Sequence, residues 1–229
     1  MKESQGFKKI FYYIGRIILL AIVLWMVLWA YDAVNNKRYV SRIVTPDKDQ
    51  YDVIAFGDSL VEGLGAAQLN GFVSIIESRL GITILNQGHR GDETADLLKR
   101  IDADVFTYHP KVVILVIGGN DAIHLVPESE FLANTESLFK QLSERGIVTI
   151  FGEVTDNVLY ANRNKQLRAL ADKYGIVYVP QLMQGVFWTI TNKFDPLHPD
   201  DAGYVKMADR IIPYLQAILV QNTPEAITH

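Results

Sequence analysis

The sequence predicts an α/β domain built on a parallel sheet of five strands with helices on both sides. Three observations carry that reading. From Tyr51 onward, short apolar runs rich in β-branched residues alternate with longer amphipathic stretches, as parallel strands joined by crossover helices require. Within the longer stretches apolar residues recur every three or four positions. Two of those stretches end at a glycine, Gly146 and Gly175, in the place of a helix C-cap.

Taken in order, strands are expected at 51–56 (YDVIAF), 82–86 (ITILN), 111–117 (KVVILVI), 147–154 (IVTIFGEV) and 175–180 (GIVYVP). The intervening helices are expected at 71–80 (GFVSIIESRL), 93–102 (ETADLLKRID), 128–146 (ESEFLANTESLFKQLSERG) and 163–175 (RNKQLRALADKYG). The domain occupies 51–219, followed by a short tail at 220–229. With 229 residues, 49% of them hydrophobic and 21% charged, the chain can bury a large core without staples. It has no cysteine, which excludes disulfides, a thiolate nucleophile and a cysteine-based zinc site. The net charge of -4 is interspersed with no basic stripe, so nucleic acid is not an expected partner.

The N-terminus has a different character. After a leader at 1–9, Ile10 to Tyr31 gives 22 residues with one charge, Arg16, and such a helix spans about 33 Å, one hydrocarbon core. Tyr12 and Tyr13 near one end, and Trp25, Trp29 and Tyr31 near the other, suit interfacial belts. No A-x-A pattern follows, so the segment reads as a retained transmembrane anchor rather than a cleaved signal. Lys2, Lys8 and Lys9 precede it and Lys37, Arg38, Arg42 and Lys48 follow, so charge does not fix orientation. Residues 32–50 are polar and read as a tether.

Open parallel sheets hold their chemistry beyond the carboxyl ends of the strands. After the first expected strand stands GDSL with Ser59, after the second NQGHRGDET with Gly88, and after the third GGND with Asn120. Past the fifth stands FDPLHPDD with Asp195 and His198. A nucleophile, a base, a carboxylate and two oxyanion donors thus fall on one rim. GDSL by itself suits an ordinary helix start, since Asp and Ser are common N-caps; the joint placement favours chemistry.

The segments GDSL, NQGHRGD, GGND and DPLHP, in this order over 51–219, resemble the four blocks of the SGNH (GDSL) hydrolase family, and most of all its bacterial thioesterase I, lysophospholipase L1 and arylesterase branch. The resemblance implies a flavodoxin-like three-layer α/β/α fold and an esterase triad of Ser59, His198 and Asp195. It also implies an oxyanion hole of Ser59, Gly88 and Asn120, and no cofactor or metal. Exported relatives carry a cleaved signal where this chain has its apolar segment. The expected location is therefore the cytoplasmic (inner) membrane, single-pass, with the catalytic domain on the extracytoplasmic or periplasmic side. One departure is Glu62, where close relatives carry alanine.

Elementary chemistry supports the same roles. A serine hydroxyl needs an adjacent base, and imidazole is the side chain poised near neutral pH. Asp195, three residues before His198, can fix its tautomer, with Pro196 and Pro199 restricting the turn. The backbone N–H of Ser59 at a helix start, the N–H of Gly88 and the Asn120 amide can aim at an oxyanion. Glu62, at the pocket mouth, is a candidate substrate-binding residue, and Phe187, Trp188 and Phe194, next to the triad, read as core packing or as an apolar acyl wall that binds substrate. Asp58, Asp92 and Asp121 read as caps or turn formers. GLGAA at 63–67 lacks the third small residue of a dinucleotide loop, and His89, His109, His124 and His229 form no metal motif. The expected substrate is a carboxylic ester or thioester, with lysophospholipids suggested by the anchor. Deacetylation of envelope saccharides, acyl transfer to a sugar, and an inactive binding domain are the rival readings.

Overall fold

The computed structural model describes residues 52–67, 71–154, 160–186 and 191–220. The leader, the expected span at 10–31, the tether, Phe187 and Trp188, and the tail beyond 220 lie outside the described residues. No described helix is long and apolar enough to cross a membrane.

Five parallel strands form one sheet in the order β2-β1-β3-β4-β5, the flavodoxin-like order. They are β1 (Val53–Gly57), β2 (Ile84–Gly88), β3 (Val112–Ile117), β4 (Val148–Glu153) and β5 (Val177–Val179). Every residue of β1, β3 and β4 is buried. This explains why those runs are continuously apolar: both faces of a doubly covered sheet lie under helices. Each strand falls within two residues of its expected start, and β5 is the shortest.

The helices are α1 (Ser59–Glu62), α2 (Gly71–Leu80), α3 (Thr94–Asp104), α4 (Gly119–Ile123), α5 (Glu128–Glu144), α6 (Ala161–Tyr174) and α7 (Asp201–Val220), with a 3-10 turn at Phe106–Tyr108. One face of the sheet packs Ile54, Phe56, Val113, Leu115 and Phe151 against Leu97 and Ile101 of α3, Leu138 and Phe139 of α5 and Leu167 of α6. Phe139 meets Phe151 edge-on at 5.1 Å, and truncating such a side chain to alanine costs about 3 to 5 kcal/mol. The opposite face is covered by α2 and α7, which pack on each other. The expected three-layer arrangement is therefore present.

Helix α7 is not announced by the sequence pattern, because Pro213 sits in its interior and an interior proline removes a backbone donor and reads as a stop. Packing overrides that signal. Tyr204, Met207, Ala208, Ile211, Leu215 and Ile218 are all buried at three- and four-residue spacing.

Candidate active site

Strand β1 must end at a glycine, because a Cβ on Gly57 would lie 1.9 Å from the Val116 carbonyl oxygen of β3. Asp58 then caps α1, its Oδ1 accepting the Leu60 N–H at 2.9 Å. Ser59 is the first helical residue, where a backbone N–H has no partner inside the helix. The single turn closes at Gly63 with φ 92°, a left-handed value that glycine adopts freely. GDSLVEG is thus a helix cap and a presentation device at once: Asp58 does the capping, which leaves Ser59 at the rim.

The Ser59 hydroxyl lies 3.0 Å from His198 Nε2. On the other side of the ring, His198 Nδ1 lies 2.8 Å from Asp195 Oδ2. A carboxylate can only accept, so Nδ1 carries a proton and, in the neutral ring, Nε2 is the acceptor for the serine. Asp195 Oδ1 accepts the backbone N–H groups of Leu197 at 2.7 Å and His198 at 2.8 Å. Burial pulls this carboxyl upward, but the hydrogen bonds from the His198 ring and from those two N–H groups outweigh it and hold Asp195 below the usual carboxylate range. The loop is pinned by the Phe194 N–H donating to the His198 carbonyl at 3.0 Å and by a bridge between Lys193 and Pro199.

Gly65 and Gly118 shape these loops, and Gly119 marks a neighbouring contact. Gly65 (φ 97°) lies against Phe194 and the Pro199 carbonyl, which a Cβ would meet at 2.7 and 2.5 Å. GLGAA is therefore a contact surface for the histidine loop. Gly118 (φ 108°) turns the chain out of β3 over the Phe131 ring, and a Cβ on Gly119 would lie 3.7 Å from Asp58 Oδ2, so GGND abuts the nucleophile turn.

The expected oxyanion donors differ in availability. The Ser59 N–H makes no hydrogen bond among the described residues. Asn120 Nδ2 donates one hydrogen to the Asp92 carbonyl at 2.8 Å and keeps a second. Gly88 is sterically required, since a Cβ would fall 2.1 Å from the Glu62 nitrogen. Its N–H, however, already donates to Asn86 Oδ1 at 2.9 Å. Asn86 in turn donates to the Val61 carbonyl at 2.8 Å, tying β2 to α1.

Several site-building residues escaped the sequence reading. Arg100 of α3 donates to the Gly57 and Gln87 carbonyls at 2.8 and 3.1 Å, pairs with Asp92 and Asp104, and lies over Phe56. It clamps the carboxyl ends of β1 and β2 together. Tyr204 of α7, fully buried, donates to the Leu64 carbonyl at 2.7 Å and steadies the turn after the serine. Asp121 accepts the Thr94 hydroxyl at 2.6 Å and the Thr94 N–H at 3.2 Å, joining α4 to α3. Burial pushes the Asp121 carboxyl up. Burial also pushes Asp58 up to about 7, with Asp121 and Asp92 adding to the rise and the Leu60 N–H opposing it. Arg100 and Tyr204 stood in no quoted motif; Asn86, Thr94 and Asp121 stood in NQGHRGDET and GGND, but the contacts they make lie far apart in sequence. Of the candidate substrate residues, Glu62 pairs with Arg90 and Phe194 is exposed.

A hydroxyl held by an imidazole that is held by a carboxylate, at the carboxyl rim of a flavodoxin-like sheet, defines a serine hydrolase. The comparisons give the particular kind. Residues 55–206 match the model of the GDSL-like lipase/acylhydrolase family, and the chain belongs to that family. It is 23% identical over 190 residues to the esterase TesA of Pseudomonas aeruginosa, covering 77% of this chain and 94% of that protein. Among solved structures, a crystal structure of TesA superposes with a TM-score of 0.66 at 21% identity, covering 72% of this chain and 98% of the other. The psychrotrophic esterase EstA of Pseudoalteromonas sp. gives 0.65 at 20% identity, covering 73% and 98%. An acetylxylan esterase of Geobacillus stearothermophilus gives 0.60 at 19%, covering 75% and 96%.

Proposed function

We propose that the chain is a membrane-anchored serine esterase that hydrolyses carboxylic esters or thioesters through an acyl-Ser59 intermediate, with lysophospholipids among its substrates. The observation that carries this reading is the unbroken relay from Ser59 through His198 to Asp195, at 3.0 and 2.8 Å. The Ser59 oxygen attacks the acyl carbon as its proton passes to His198 Nε2, and Asp195 stabilises the imidazolium that forms. Negative charge on the carbonyl oxygen is met by the Ser59 N–H, the free Asn120 amide hydrogen and the Gly88 N–H, which shares its hydrogen with Asn86 or releases it. The leaving alkoxide or thiolate takes the proton from Nε2. Water, deprotonated by the same nitrogen, then releases the acid and restores the serine.

The anchor is residues 10–31, whose length and apolarity match a bilayer core. A lysine-bearing leader before a lone span suits a cytoplasmic N-terminus and an extracytoplasmic domain. Removal of O-acetyl groups from envelope saccharides is a second reading, favoured by the fold likeness to an acetylxylan esterase.

The full chain in detergent, assayed on an acyl-length series of nitrophenyl esters beside a lysophospholipid and an acetylated saccharide, separates these readings. A fluorophosphonate should label Ser59 alone, and Ser59→Ala should abolish turnover while the domain stays folded. Near-normal turnover by the alanine variant overturns the assignment. Protease added to intact spheroplasts should digest the domain; survival until permeabilisation places it in the cytoplasm.

A further inference from the structure

We propose that the end of α4 with the turn after it, and the loop bearing His198, form an apolar rim that docks on the lipid bilayer, so that an ester enters the site from the lipid phase. This inference rests on the anchored-esterase reading and specifies where its substrate comes from. Among the described residues the large apolar side chains left exposed are Ile123 (49%), Leu125 (84%), Phe194 (64%), Leu197 (44%) and Val220. Val220 is the last described residue of α7. The other four all belong to the segments that follow Asn120 or flank Asp195. Scattered exposed apolar residues need no explanation, but confinement to the mouth of one site does.

These side chains are held outward by fixed backbone. Leu125 sits in a turn closed by the His124 N–H on the Asn120 carbonyl at 2.8 Å and the Val126 N–H on the Asp121 carbonyl at 2.9 Å. Its φ is +58°, a left-handed value that a leucine adopts only against a steric cost. The same turn seats Val126 against the core, and it leaves strain and water contact together on the Leu125 side chain. Phe194, at the opposite loop, is fixed by its own N–H on His198 and by its packing on Gly65.

The occupant follows from the rest of the chain. Residues 10–31 are apolar with one charge, and the polar stretch 32–50 connects them to the domain. A linker of that many residues reaches at most roughly 65 Å when fully extended, so although it joins the domain at the amino end of β1, away from the rim, a bilayer is an apolar surface held within the rim's reach.

The chain contains no native cysteine, so single labels are clean. Leu125→Cys, and Asp102→Cys at the end of α3 remote from Thr94, would each carry an environment-sensitive fluorophore in the full chain reconstituted into phosphatidylcholine vesicles with nitroxide-bearing acyl chains. Quenching at 125 but not at 102 is expected. Absence of quenching at 125, equal quenching at both, or a chain that fails to float with the vesicles overturns docking. Leu125→Asn, which suits the left-handed turn, should leave hydrolysis of water-soluble nitrophenyl acetate within about twofold while slowing that of a vesicle-borne ester about tenfold, the effect of one lost buried side chain. An equal loss on monomeric long-chain esters would make Leu125 an acyl-pocket wall and overturn the proposal. Failure of the wild type on nitrophenyl acetate would instead refute the esterase reading, leaving the quenching result standing.

Discussion

Glu62 grips Arg90 three ways: its carboxylate accepts the Arg90 backbone N–H at 3.0 Å, the Nε at 3.1 Å and the Nη2 of the guanidinium. The Arg90 hydrogen bonds are the main reason that the Glu62 carboxyl lies below its usual range. Gly88, two residues before Arg90, is pressed against the Glu62 backbone, so the pair straps the Gly88 turn to the helix that carries Ser59. Solvent screens it, and its effect on global stability should be small. Its effect on geometry should be larger: Glu62→Ala is expected to lower kcat about tenfold, short of the roughly 10²-fold that a 1 Å misplacement brings. Reversing the pair as Glu62→Arg with Arg90→Glu should recover part of the loss in a double-mutant cycle. A rise in KM alone would mark Glu62 as a substrate contact.

Asn120→Ala should lower kcat by roughly 10²- to 10³-fold, about 3 to 4 kcal/mol, with little change in KM, because the bond strengthens as charge develops. Asn86 offers a companion test. Asn86→Asp keeps an acceptor for the Gly88 N–H and loses the donor to Val61, whereas Asn86→Ala loses both, so kcat should fall further in the alanine variant. Equal losses would show that the Val61 tie matters and the Gly88 tie does not.

Stability should depend on pH through Asp58. Its folded value of about 7 lies above the ordinary 3.8, so the folded state holds a proton that the unfolded state releases. Stability from this group is full below the ordinary value and is lost as pH rises toward 7. Asp58→Asn cannot ionise and its side-chain oxygen can still cap Leu60. The variant should therefore gain on the wild type between pH 4 and 7, by at most on the order of 4 kcal/mol. Urea melts at pH 4.5, 6 and 8 measure this; a constant difference across them would refute it. Asp121, also raised by burial, acts in the same sense.

Arg100→Met would leave Asp92 and Asp104 without their cation and two strand-end carbonyls without a donor. Breaking such a mostly buried pair costs about 3 to 5 kcal/mol. Arg100→Lys retains the charge but not the fork, so it should recover stability in part and activity less. Chemical denaturation and kcat on a soluble ester report the two separately.

The β-branched runs made β1, β3 and β4 legible because strands buried on both faces have no polar alternation to confuse them. The ends of α5 and α6 were legible from periodicity and from Gly146 and Gly175. Helix α7 was hidden by Pro213, since local propensity says stop while six buried side chains on its inner face say continue. Ser59, His198 and Asp195, which the structure joins in one chain of hydrogen bonds, drew notice in the sequence because the chemistry expected of them demands particular residue types beyond strand ends. Tyr204 and Arg100 did not, because a tyrosine or arginine in an amphipathic helix has no local mark of its role. Tyr204 meets Leu64 across 140 positions, a relation visible only after folding.

The serine and its base stand 139 positions apart, one just after the first strand and the other just before the last helix. During synthesis the chain therefore exposes its serine long before any imidazole can reach it. In the folded chain the relay is made with the histidine loop seated on Gly65. Catalysis is thus a readout of completed folding. An esterase built this way stays inert until its last segments have left the ribosome and closed over the sheet.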